Sequence, residues 1–167
     1  MNYNFNYNKP NKYITGDPLP HLRGVVHFFI SFFILFIIII LRKHFFELLP
    51  LMIFLYGKLF SYGASAILHS GLINSIKGHY TSLLFDKIAI YISIFVTGIP
   101  FARTKIMLFY GLNSIFLLIG ITALLFDYET LRRNIFLLQF IFAIYYIGDQ
   151  VKWNKLWIIG TILYICA

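Results

Sequence analysis

The stretch "GVVHFFISFFILFIIIIL", residues 24–41, carries one histidine and one serine in a run otherwise built of Gly, Val, Phe, Ile and Leu. It holds no charge, and its length approaches the ~20 mostly apolar residues that a helix needs to cross the hydrocarbon core of a bilayer. Working outward, comparable runs recur at 48–70, 82–101, 106–126 and 134–148. A sixth begins at Leu156 as "LWIIGTILYICA" and stops with the chain, well short of ~20 residues. The sequence therefore reads as cut inside a helix, as in a fragment or a truncated gene model; the alternative is a last segment that is only partly inserted.

Composition agrees with this reading. The chain is 60% hydrophobic and only 12% charged, with a mean hydropathy of +0.80, which excludes an ordinary soluble globular surface. The net charge of +8 does not point to nucleic acid, because the basic residues stand singly or in pairs between apolar runs instead of forming a patch. Cys166 is alone, so neither an intramolecular disulfide nor a paired-cysteine metal site is available. Residues 1–19, rich in Asn and Tyr, lack the apolar core of a secretory signal and read as a disordered polar tail. Residues 20–167 form the membrane domain.

The connectors "RKHFFE", "GLINSIKGHYT", "ARTK", "DYETLRR" and "DQVKWNK" are short, so neighbouring helices must alternate in direction. The expected fold is all-α, a polytopic transmembrane helix bundle with six visible spans, the last incomplete. Outside the spans, Lys and Arg divide evenly between the two sides: Lys9, Lys12, Arg23, Lys77, Arg132 and Arg133 against Arg42, Lys43, Arg103, Lys105, Lys152 and Lys155. The positive-inside rule thus gives no orientation.

Alternation does place the polar residues relative to one another. Arg23 and His27 open the first span, His69 closes the second and Asp86 lies near the start of the third, all at one side of the membrane. Lys58, Tyr62, Ser65 and His69 fall on one helical stripe; so do Asp86, Ser93 and Thr97, and likewise Arg23, His27 and Ser31. Ser31, Ser93, Thr97 and Tyr62 read as helix-to-helix hydrogen-bonding residues. His27 divides between packing and a site. Ser65, His69 and Asp86 fit a proton relay, a metal site or a buried pair, since ionisable groups inside apolar spans face an interior or a water-filled cavity.

Three segments, "PHLRGVVH" (20–27), "YGASAILH" (62–69) and "FDKIAIYISIFVTGIP" (85–100), resemble in order and spacing the hemolysin III family and its wider group, the progestin and adipoQ receptors. The resemblance implies seven helices, the seventh missing here, and a cytoplasmic N-terminus. It implies a zinc site with His69 as metal ligand and with Ser65 and Asp86 holding the zinc-bound water as catalytic residues. Zinc with three imidazoles and a water brings that water's pKa to about 7, and a carboxylate beside it orients the water and takes its proton. Two departures stand out. Lys87 follows the aspartate where relatives commonly have histidine, and the HxxxH pair that supplies the family's other ligands is absent, so the zinc site is incomplete in this chain.

Two functions follow from the resemblance. The first is cytolysis or membrane permeabilisation through a pore, with membrane lipids and further copies of the chain as partners. The alternative is a zinc-dependent hydrolase of membrane lipid amides, ceramidase-like, which requires a hydrophobic cavity. A receptor for an extracellular ligand fits less well, because the outer connectors are too short to build a binding domain. Whether the chain is an enzyme stays open at this point.

Overall fold

The computed structural model describes residue 13, residues 18–73, 75–101 and 106–151, and positions 155 and 159. Five α-helices and two single-turn 3₁₀ helices, Arg42–His44 and Ile99–Phe101, account for the helical structure of these residues: α1 (His21–Leu41), α2 (Leu49–His69), α3 (Ile76–Thr97), α4 (Ile106–Leu125) and α5 (Glu129–Gln150). The sixth expected span, from Leu156, lies outside the described residues apart from position 159.

Local chemistry sets the helix ends. The Pro20 carbonyl accepts the backbone N–H groups of Arg23 and Gly24 at 2.9 and 3.2 Å, starting α1. Pro50 stands in the first turn of α2, where a missing N–H removes no helical bond. At the other end of α2 the Ser70 hydroxyl donates to the Ile67 carbonyl at 2.8 Å. Gly71 then adopts φ 74°, a left-handed conformation that stops the helix and that glycine takes without strain. Ser75 Oγ accepts the Gly78 N–H at 3.0 Å and so caps α3.

That cap moves a boundary. The third span was expected to begin at residue 82, with Lys77 and His79 in a connector, whereas α3 begins at Ile76 and takes both into the helix. Similarly, α5 begins at Glu129 and not at residue 134. Asp127, at φ 57°, turns the chain, and the Glu129 carboxylate at the helix N-terminus pairs with Arg132. That hydrogen bond pushes the Arg132 guanidinium further up from its already high pKa.

Among the described residues, three segments are long and apolar enough to cross a membrane: Leu22–His44, Leu49–His69 and Ile76–Phe101. Three of the six expected spans are thus matched on length and composition. The described apolar stretch of α4, Phe109–Leu125, is shorter. In α5 the polar residues Glu129, Arg132, Arg133, Asn134, Gln139, Asp149 and Gln150 dilute the apolar content.

The chain divides within α3 into two compact units, residues 1–90 and 91–167. In the first, α1 and α2 run antiparallel around a core of Ile34, Ile38, Met52 and Leu55, against which Ile30, Leu59 and Tyr62 pack. The outer side of α1 carries Phe28, Phe29, Phe32, Phe33 and Phe36, each more than half exposed. A continuous aromatic face of this kind is at home in lipid and a liability in water. In the second unit Phe109, Tyr146 and Ile147 form the core where α4 meets α5, with the Phe109 and Tyr146 rings stacked at 4.2 Å between centroids. Tyr91 donates its hydroxyl to the Arg132 carbonyl at 2.7 Å, tying the end of α3 in this unit to the first turn of α5.

Gly24 sets how closely α1 and α2 approach. A Cβ at this position would lie 2.6 Å from the His69 carbonyl oxygen and 2.9 Å from its carbon, both backbone atoms that cannot swing aside. Gly24→Ala is therefore expected to push the helix ends apart and cost about 1–3 kcal/mol. Thermal unfolding in detergent checks this: the midpoint should fall clearly below that of the unsubstituted chain, and an unchanged midpoint would contradict the close approach.

Candidate functional site

The end of α2 brings Ser65 and His69 inward, 5% and 6% exposed, at the level where Gly24 lets α1 close over His69. His27, one turn along α1, meets two rings of α2. Its centroid lies 5.4 Å from that of Tyr62, edge-on, and 6.4 Å from that of His69. Arg23 and Asp86 are both close enough to act electrostatically on the two imidazoles, with opposite sign.

Residues expected to act together are thus brought into one neighbourhood without being joined. Among the described residues no hydrogen bond links Ser65, His69 and Asp86. The His69 imidazole is engaged elsewhere: its Nδ1 shares a short hydrogen bond with the Tyr13 hydroxyl. Tyr13 also packs on His79, with ring centroids 5.1 Å apart, and His79 is itself buried. The polar stretch before α1 therefore supplies part of the site, and the early start of α3 carries His79 into it.

Two nitrogens of this cluster are buried without a hydrogen-bond partner: Nε2 of His69 and Nδ1 of His27. The Tyr13 contact has a chemical consequence for the first. If Nδ1 keeps its proton and donates to Tyr13, Nε2 is a free lone pair; if Tyr13 donates, Nε2 carries the proton and is a free donor. Only the first tautomer can ligate a cation. Among the described residues, however, no group of three or more His, Cys, Asp or Glu side chains lies close enough to hold a metal ion. The described residues do not by themselves complete a zinc site.

The remaining polar residues of the stripes divide clearly. Ser31 returns its hydroxyl to the His27 carbonyl at 2.8 Å, and Thr97 does the same to the Ser93 carbonyl at 2.6 Å. Both are satisfied within their own helix, as side chains in apolar helices often are. An open apolar groove of about 360 Å³ lies along Leu59, Phe60, Gly63, Ala64 and Ile67 of α2 and Ser82 and Phe85 of α3. By helical spacing, Phe60 and Ile67 sit on the opposite side of α2 from Ser65 and His69. The groove does not serve the imidazole cluster.

Sequence reasoning missed Tyr13, His79, Asn113 and Gln139 as interior groups. Tyr13 left no local signal, because its partner is 56 residues away. Asn113 and Gln139 did leave one, as single amides in the apolar runs "YGLNSIF" and "FLLQFIF". No protein-family model, curated protein or solved structure matches this chain.

The Tyr13 contact makes a prediction about accessibility. With a reagent that modifies histidine, exposed His44 should react readily and His69 should be protected. In Tyr13→Ala the His69 rate should rise several-fold while that of His44 stays constant. Peptide mass spectrometry reads both sites in one sample, and equal protection of His69 in the two proteins would remove Tyr13 from the site.

Proposed function

We propose that the chain is a multi-pass integral membrane protein of the hemolysin III kind, with a cytoplasmic N-terminus, that permeabilises membranes as an assembly of several copies. Support comes from the three ordered sequence segments that resemble that family and from the apolar faces of α1 to α3. The single observation that carries the activity is Lys58. It lies near the middle of α2, half-buried, with its ammonium 5.6 Å from the centroid of the Phe54 ring.

A lysine at mid-span costs ~2.5–3.5 kcal/mol on insertion scales, so it is normally turned toward water or a partner and not toward lipid. Lys58 also forms the deep end of the stripe that continues through Tyr62 and Ser65 to His69 at the helix end. This stripe faces α1 inside the first unit along most of its length, and Lys58, its half-buried deep end, is the part we assign to a hydrated path when copies of the chain assemble.

Reconstitution into dye-loaded liposomes tests the reading. The chain should release dye, Lys58→Leu should reduce the rate by about tenfold, and a metal chelator should leave it unchanged. Full release by Lys58→Leu, or no release by the unsubstituted chain, would overturn it.

A second reading, a zinc-dependent hydrolase of membrane lipid amides, is favoured by one observation, the unpartnered Nε2 of buried His69 near Asp86. His69 would supply one ligand and Ser65 and Asp86 would orient a water, while the other metal ligands would have to come from beyond this cluster. It predicts lipid-amide turnover that is lost in His69→Ala and Asp86→Ala and suppressed by chelators. Turnover insensitive to both would exclude it.

A further inference from the structure

In the second unit, Gln139 of α5 and Asn113 of α4 are completely buried. The Gln139 amide nitrogen donates to Asn113 Oδ1 at 2.9 Å and to the Tyr91 carbonyl at 3.3 Å. Asn113 Nδ2 in turn donates to the Phe95 carbonyl at 3.4 Å. These bonds fix the direction of both amides. Turning the Gln139 amide over would set its oxygen against two acceptors. In the orientation that remains, Gln139 Oε1 is buried with no hydrogen-bond partner.

We propose that Gln139 and Asn113 form a binding site for a single water molecule inside the second unit. The chemistry selects the ligand. An amide oxygen needs a donor, and none of the described residues supplies one. Asn113 Oδ1 uses one lone pair on Gln139 and keeps the other, so a water can donate one proton to each amide oxygen. Buried waters characteristically occupy such places, bridging polar groups that would otherwise be unsatisfied. A metal cation does not suit the site, because hard cations take about six or more oxygen ligands and two amide oxygens converge here. The small Ala143, one turn from Gln139 on the same face of α5 and 4% exposed, leaves more room beside the amide than a larger side chain would.

Gln139 and Gln150 are the only glutamines in the chain, so labelling with ¹³C-glutamine gives two side-chain amide carbon signals, which Gln150→Ala assigns. Water-edited solid-state NMR of the intact chain in liposomes then reads hydration of each. At short mixing times the Gln139 carbon should gain polarisation from water comparably to Gln150, which lies at the end of α5 and serves as the hydrated reference. Build-up at Gln150 with none at Gln139 would overturn the proposal. The experiment is independent of the imidazole cluster and of any permeabilising activity.

Discussion

The structure depends on one constraint: polar atoms enclosed by apolar helices need partners, and most of those described find them within the protein. In α1 and α2 the constraint is met where Gly24 allows backbones to meet, so that the end of α2 is covered and His27, Tyr62, Ser65 and His69 are drawn into one neighbourhood. Side chains with short reach solve the problem locally, as Ser31 and Thr97 do by bonding one turn back. Side chains with rings or amides cannot, and they require a neighbour from another segment. The interior of each unit is organised around those longer demands: imidazoles and Tyr13 in the first, amides and backbone carbonyls in the second.

This constraint also separates what the sequence revealed from what it concealed. The helical class and the apolar segments of α1 to α3 were legible because lipid-facing Phe and Ile are read one residue at a time. Face assignment was legible too, since a period of 3.6 places Ser65 and His69 together without any knowledge of the partner. The start of α3 was not, because Lys77 and His79 resemble connector residues until Ser75 is recognised as a cap. Nor was the participation of Tyr13, whose contact obeys no periodicity. The crossing ability of α5 was overestimated, because its apolar middle drew attention away from the charged and amide residues around it.

For the candidate site, the sequence grouped helix ends that the structure also brings near one another, but it gave no sign of the bond that His69 makes. Ser65, His69 and Asp86 were read as a proton relay, a metal site or a buried pair. In the structure His69 engages Tyr13, and no hydrogen bond joins it to Ser65 or Asp86. This difference bears on chemistry, since the partner of one ring nitrogen decides what the other can do. An imidazole held by a tyrosine hydroxyl has its tautomer set by a group outside the helices, so the segment before α1 takes part in defining the site.

The Tyr13 to His69 bond also orders events in time. A ribosome delivers Tyr13 long before His69, and the bond spans 56 residues, a separation that includes all of α1 and α2. Tyr13 therefore cannot meet His69 until the second helix has been made and has folded back on the first. Closure of this contact belongs to the late phase of assembly, after local helix formation, as loop-closure entropy requires of non-local contacts. During synthesis, the contact marks completion of the first helical hairpin.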